Sequence, residues 1–159
     1  MADYSASIAY QVNRFLTEDD WKYEFDDENG RFRFNLNIGT KLGSVQYTIQ
    51  INNGGFTVYC TAPIHADSED RKQMGAIARF LHGANYGLRY GNFEFDFRDG
   101  EIRYKVAQLC GKSDPDTNIV KRCILVPAAM FERYSPGFLG IIFADQDPED
   151  ALRKCEEDM

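Results

Sequence analysis

The stretch that decides the fold is Asn92–Gln108, which reads NFEFDFRDGEIRYKVAQ. Before the dipeptide Asp99-Gly100, phenylalanines alternate with charged residues; after it, aliphatic residues and a tyrosine alternate with basic ones. Strict alternation on both sides of an Asp-Gly dipeptide is the strongest short-range signal for a β-hairpin. The predicted apolar face consists of Phe93, Phe95, Phe97, Ile102, Tyr104 and Val106. We therefore expect a hairpin with one apolar face and one charged face.

The charged face carries acids on the first strand and bases on the second. Glu94 and Asp96 precede the turn, whereas Arg103 and Lys105 follow it. Opposite charges facing each other across a hairpin contribute ~0.2–1 kcal/mol per pair, so they reinforce the register set by the apolar residues. Together with Glu101, the two acids could also resemble the paired carboxylates of a glycosidase. The facing bases favour solvated ion pairs instead.

Composition and charge narrow the class of protein. A chain of 159 residues that is 43% hydrophobic can bury a sizeable core, and we assign residues 1–159 to one domain. The net charge of −7 argues against a nucleic-acid partner and against docking on an anionic membrane, because both need clustered Lys and Arg. The amino terminus lacks a signal-peptide pattern, and no apolar run approaches the ~18–20 residues that span a bilayer. We expect a soluble, cytoplasmic protein.

Upstream of the hairpin, the periodicity predicts a helix, three strands and a second helix. Ile8, Val12, Phe15 and Leu16 recur at helical spacing. Residues 21–38 fit a hairpin or one strand broken at Asn29-Gly30, and alternating residues then predict strands over 45–51 and 56–60, the latter ended by Pro63. Asp67 or Ser68 should start the second helix, with Glu69 and Asp70 in its first turn. Its predicted buried stripe is Met74, Ile77, Ala78, Leu81 and Ala84.

Downstream of the hairpin, the signals are helical from Thr117 onwards. Pro127 should kink or split this helix. Ser135-Pro136 and Asp147-Pro148 each read as an N-cap followed by proline at the first helical position. The order is α-βββ-α-ββ-α(α), which predicts an α+β domain with a twisted antiparallel sheet of about five strands flanked by helices.

The order of elements and the segment GNFEFDFRDGEIRYK (Gly91–Lys105) resemble the YbjN family of small bacterial proteins. The tail is similar as well: Tyr134-Ser135-Pro136 leads into a short apolar helix, and Pro148-Glu149-Asp150-Ala151 starts another. The resemblance covers residues 8–156. It implies a fold like that of the type III secretion chaperones, often dimeric, and a regulatory role in sensory transduction. It supplies no catalytic residues.

The chain offers few candidates for chemistry, and we predict neither an enzyme nor a bound cofactor or metal. His65, Asp67 and Asp70 could ligate a metal, but they fit better as a loop histidine followed by helix-capping acids. His82 lies beside the apolar stripe of the second helix, where a lone histidine is more often hydrogen-bonded than catalytic. The four cysteines form no CxxC pair, and we expect Cys60 and Cys123 to be core residues.

The one positive indication of function is the predicted surface of the strands. The strands carry more aromatic and aliphatic residues than one layer of helices needs, which predicts binding to an unidentified protein and to a second copy of the chain as a homodimer. The candidate interface residues are Tyr47, Tyr59, Ile102, Tyr104 and Val106. Tyr47 and Tyr59 lie on opposite phases, so one of them should face outward. Alternatively, helices cover the sheet and these tyrosines are ordinary strand residues. A second hypothesis is a small-molecule sensor or weak hydrolase with a pocket between the second helix and the sheet, using His82 or His65.

Overall fold

The computed structural model describes residues 3–157, which form four helices and six strands. The helices are α1 (Ala6–Glu18), α2 (Arg71–Asn85), α3 (Thr117–Ala144) and α4 (Pro148–Glu156). The strands are β1 (Glu24–Asp26), β2 (Arg31–Asn37), β3 (Ser44–Ile51), β4 (Gly55–His65), β5 (Asn92–Phe95) and β6 (Glu101–Leu109). None of the helices within residues 3–157 is long and apolar enough to cross a membrane.

The strands form one antiparallel sheet in the order β1-β2-β3-β4-β6-β5, which confirms the predicted α+β class. The sheet has six strands instead of about five, because residues 21–38 form a hairpin. In this hairpin β1 has only three residues, and Phe25 lies opposite Phe32. The short β1 and β5 are the two edges of the sheet, which limits unwanted pairing with other chains.

One face of the sheet is buried under the helices. The central row across the strands on this face runs Phe34, Tyr47, Cys60, Tyr104 and Phe93, all of them buried. An aromatic pair lies at each end of this row. Phe34 stacks on Tyr47 with the ring centres 4.8 Å apart, and Phe93 lies edge-on to Tyr104 with the ring centres 4.9 Å apart. The same core holds the apolar sides of α1, α2 and α3. Cys60 and Cys123 are both buried in it, as predicted.

The β5–β6 hairpin forms at the predicted place, but its turn is longer than Asp99-Gly100 alone. Phe95 pairs with Ile102, and the Asp96 N–H donates to the Glu101 carbonyl at 3.0 Å. Residues 97–100 make the turn, so Phe97 leaves the predicted apolar face and is 64% exposed. The reason is packing against the end of β4. Gly100 has φ of +78°, and a Cβ there would lie 2.1 Å from the Ala66 carbonyl oxygen.

The first two helices confirm their predicted positions with small corrections. Ser5 caps α1 by accepting from the Ile8 N–H. The N-cap of α2 is Asp70, whose carboxylate accepts from the Gln73 N–H, so the prediction of Asp67 or Ser68 was wrong by two or three residues. As a result, Asp70 and Glu69 lie before the helix and not in its first turn. The buried stripe of α2 includes Phe80, which the sequence analysis omitted, while Ala78 is only half-buried.

The structure corrects three predictions that were based on prolines. Pro63 does not end its strand, because β4 continues to His65. The register shifts between Thr61 and His65, so Pro63 is not required to donate an N–H to β6 at that point. Likewise α3 runs unbroken for 28 residues through Pro127 and Pro136, so Ser135-Pro136 is not a helix start. The Asp147-Pro148 start of α4 is confirmed, with Asp147 accepting from the Glu149 and Asp150 N–H groups.

A side chain from the sheet bonds the backbone of α3 beside Pro127. A proline in a helix lacks one N–H and crowds the preceding turn. The Tyr47 phenol donates to the Ile124 carbonyl, three residues before Pro127, at 2.5 Å. Tyr47 therefore bonds the helix backbone in the turn that the proline ring crowds. Burial raises the pKa of Tyr47 far above its ordinary value, so the phenol remains a donor.

Candidate functional site

The predicted interface residues lie on two different faces of the sheet. Tyr47, Ile102, Tyr104 and Val106 are buried under the helices, where they pack the core and offer no surface to a partner in this fold. Burial raises the pKa of Tyr104 to about 12, and its phenol donates to the Tyr90 carbonyl at 2.7 Å. Only Tyr59 lies on the opposite face. Its part in an interface stays a prediction.

The face that carries Tyr59 has no helix over it within residues 3–157. We call it the open face. Its middle row runs from β2 to β5 through Arg33, Thr48, Tyr59, Lys105 and Asn92. The rows on either side of it contain Arg31, Asn35, Gln46, Gln50, Thr57, Thr61, Glu94, Arg103 and Ala107. These polar side chains are half-buried or exposed, in contrast to the buried residues that alternate with them.

Charge on the open face is arranged by strand. The cations lie on β2, as Arg31 and Arg33, and on β6, as Arg103 and Lys105. Between them, the outward residues of β3 over 44–50 and of β4 over 57–61 are all uncharged. Most carboxylates of this face lie on the edge strands. The open face therefore has an uncharged middle with cations on both sides of it, and acids on the edge strands, namely Glu24 and Asp26 on β1 and Glu94 on β5.

Ion pairs order the β6 side of the open face, as predicted for the hairpin. Glu94 accepts from Arg103 at 2.8 Å and from Lys105 at 3.1 Å. Partial burial opposes ionisation of Glu94, but these two cations outweigh it and hold the pKa of its carboxyl below the ordinary value. Arg103 also lies 4.3 Å above the centre of the Tyr59 ring. Tyr59 is thus held by a cation that is itself held by Glu94.

Asp96 does not join the cross-strand pairs that were expected. Its carboxylate accepts from the Arg98 side chain two residues along the turn, at 2.7 Å. That hydrogen bond lowers the pKa of Asp96 to about 2. Glu94 and Asp96 therefore both form ion pairs with basic residues. For Glu94 this is the cross-strand pairing that we favoured over a glycosidase site.

The acids and histidine considered as metal ligands are spread over separate local contacts. The His65 Nδ1 lies 3.0 Å from the Asp99 carbonyl, Asp67 accepts from the Glu69 N–H, and Asp70 caps α2. Residues 3–157 contain no cluster of three or more His, Cys, Asp or Glu side chains that could hold a metal ion.

A groove lies between α2 and β5, at the place predicted for a small-molecule pocket. It has a volume of about 480 Å³ and is largely apolar. Its lining consists of Ala78, Arg79, Leu81, His82, Asn85, Phe93, Phe95 and Phe97. His82 is exposed at its rim, whereas His65 lies elsewhere. No carboxylate or nucleophilic hydroxyl is among the lining residues.

The sequence analysis named Tyr59 as a candidate but did not name its neighbours on the open face. Thr48 lies beside Tyr59 in the middle row and Arg33 lies one strand further away, and both alternate with buried residues on their strands. The outward direction of these side chains could be predicted from the sequence. The order of the strands could not be predicted, and this order is what places β2 two strands away from β4.

A protein family described as "Putative bacterial sensory transduction regulator" matches residues 9–139, which is most of the chain. No curated protein matches the sequence.

Proposed function

The chain belongs to the YbjN family, and from that premise we propose that it is a non-enzymatic regulatory or chaperone-like domain that binds a partner protein through the open face. The observation that carries this proposal is the uncovered sheet surface around Tyr59, in a sheet whose other face is fully used by the core. We place the domain in the cytoplasm.

The residue types of the open face suit protein recognition. Tyr and Arg are enriched among the residues that contribute most to binding, and here they are in direct contact. Glu94 and Arg103 restrict the Tyr59 ring before any partner arrives, which lowers the entropic cost of ordering it on binding. The flanking Thr and Gln side chains supply hydrogen-bonding groups of the kind found at interface rims.

The charge of the open face indicates what the partner presents. The centre of the face is uncharged, the four cations Arg31, Arg33, Arg103 and Lys105 flank it, and the acids Glu24, Asp26 and Glu94 lie on the edge strands. A complementary protein surface therefore carries Asp and Glu side chains opposite the four cations, around an apolar or aromatic centre. The exposed Arg33 is the cation least engaged by neighbours, because Arg31 bonds Gln50 and the two β6 cations bond Glu94. Arg33 is therefore the best single residue for a charge test.

The test compares two variants of the open face with two matched variants elsewhere. Arg33→Glu is matched by Lys112→Glu on the loop after β6, and Tyr59→Ala is matched by Tyr86→Ala, whose ring is 92% exposed after α2. Proteins cross-linked to each variant in cells would be quantified by mass spectrometry. We expect a specific set of cross-linked proteins whose recovered amount falls about tenfold with Arg33→Glu or Tyr59→Ala and is unchanged with the two controls.

Equal recovery with all four variants would contradict the open face as the binding surface. Circular dichroism and the urea midpoint check that each variant is folded. Because Arg33 and Lys112 are both exposed cations, the overall charge changes identically in the charge-reversal pair, and only the position differs.

The alternative function, a small-molecule sensor or weak hydrolase, is supported by one observation, the α2–β5 groove. Its apolar lining suits a small apolar molecule, and His82 is the one imidazole there. A ligand panel would be measured by thermal shift with the wild type and His82→Ala. Stabilisation that is lost in His82→Ala would favour this function, whereas no response in the wild type would count against it.

A further inference from the structure

A second cavity, away from both the open face and the α2–β5 groove, lies between α3 and β6. It has a volume of about 360 Å³, within the ~300–1,000 Å³ typical of ligand sites. Its lining consists of Arg89, Tyr90, Gly91, Val106, Ala107, Gln108, Ile119, Arg122, Cys123 and Val126. Two arginines are thus present, and no acidic residue.

The two arginines reach the cavity from different elements. Arg89 belongs to the segment between α2 and β5, and Arg122 belongs to α3. Both side chains are exposed. Within residues 3–157 neither guanidinium forms an ion pair, which is also true of Arg31, Arg33, Arg71 and Arg133. In a chain of net charge −7, two arginines without carboxylate partners that line one cavity indicate a site for an anion.

Apart from Gln108, the remaining lining is largely apolar, and part of it is held in place. Val106, Ile119 and Val126 line the cavity together with Tyr90, whose side chain is exposed. The Tyr104 phenol donates to the Tyr90 carbonyl, which ties residues 89–91 to the sheet. Gly91 has φ of +84°, and a Cβ there would lie 2.3 Å from the Lys105 carbonyl oxygen. This close approach fixes the loop that carries Arg89 against β6.

We propose that this cavity binds a small organic phosphate monoester whose body is aromatic or apolar. A monoester carries about −1.5 to −2 charge at pH 7, which two guanidinium groups balance. The forked donors of arginine match phosphate oxygens in pairs. The Val and Ile side chains and the Tyr90 ring would contact the body of the ligand. This ligand class goes beyond the proposed protein-binding function and does not depend on it.

The probe for this site is phenyl phosphate, titrated into ¹⁵N-labelled protein and followed by NMR. We expect saturable shifts at the amides of Gly91, Ile119 and Val126, which line the cavity. Phenol and inorganic phosphate are the two control probes. Phenol lacks the charge and inorganic phosphate lacks the ring, so each should bind at least about fivefold more weakly.

Variants assign the binding to the two arginines. Arg122→Gln and Arg89→Gln should each raise the Kd for phenyl phosphate by about tenfold. Arg71→Gln, at the start of α2, is the matched control and should leave the Kd unchanged. Equal affinity for inorganic phosphate, no saturable shifts in the wild type, or an unchanged Kd in both cavity variants would overturn the proposal. Arg33→Glu on the open face should not alter this titration, which separates the two sites.

Discussion

At the scale of single residues, Tyr47 ties the sheet to α3 next to the proline in the middle of that helix. The phenol donates to the Ile124 carbonyl in the turn before Pro127. Tyr47→Phe removes the hydroxyl, retains the ring that stacks on Phe34, and leaves the Ile124 carbonyl without this donor in a buried site. We expect a loss of about 1–3 kcal/mol in the free energy of unfolding, measured by urea denaturation.

Tyr59→Phe is the control for Tyr47→Phe, because it removes the same hydroxyl from the open face. Its effect should stay within about 0.5 kcal/mol. Equal losses in the two variants would mean that the phenol of Tyr47 has no special role in α3.

A second residue-scale prediction concerns Glu94 and pH. The folded protein lowers the pKa of this carboxyl, so its stabilisation is fully present above the unfolded-state pKa and is lost as pH falls through the folded-state value. Glu94→Gln should therefore reduce stability by about 1 kcal/mol at neutral pH, and by much less at about pH 3. Urea midpoints at the two pH values provide the measurement. A deficit that does not change with pH would rule out the ion pairs as its cause.

At the scale of elements, Asn85 closes the exposed edge of β5. Its side-chain amide donates to the Phe93 carbonyl at 2.9 Å and accepts from the Phe93 N–H at 2.7 Å, as a neighbouring strand would. Asn85→Ala leaves both groups exposed on the edge. We expect a loss of about 1–3 kcal/mol and more self-association by light scattering.

The control for Asn85→Ala is Asn118→Ala, at an exposed position in the first turn of α3. It should change neither stability nor mass. If Asn85→Ala behaves like this control, the amide does not protect the edge.

The elements also show which features of the fold can be predicted from sequence patterns. Alternation predicted the strands and the two faces of the hairpin because side-chain direction along a strand depends on neighbouring residues alone. The same alternation placed Tyr47 in phase with Val45, Ile49 and Ile51, so its burial was predictable. The unbroken α3 was not, because the contacts that hold it beside Pro127, such as the Tyr47 bond to Ile124, come from residues far away in the chain. Similarly, the end of β5 at Phe95 depends on the contact of Gly100 with Ala66.

At the scale of the whole molecule, the helices within residues 3–157 pack on one side of the sheet, and the open face is the other. Self-association remains a prediction, and light scattering over a concentration series tests it. A dimer would have a mass of about 36 kDa, twice the 18.2 kDa of the chain. If it forms through the open face, Tyr59→Glu should convert it to monomer. Tyr104→Glu is unsuitable for this test, because Tyr104 is buried and a glutamate there would unfold the core.

The most direct test of the open face is site-specific photocross-linking in cells that express the protein at its native level. A photoreactive phenylalanine analogue would replace Tyr59 in one sample and Tyr86 in the other. The proposed function predicts a discrete cross-linked protein from position 59, none from position 86, and loss of the product when Arg33→Glu is added. No product from position 59, or the same products from both positions, would contradict it.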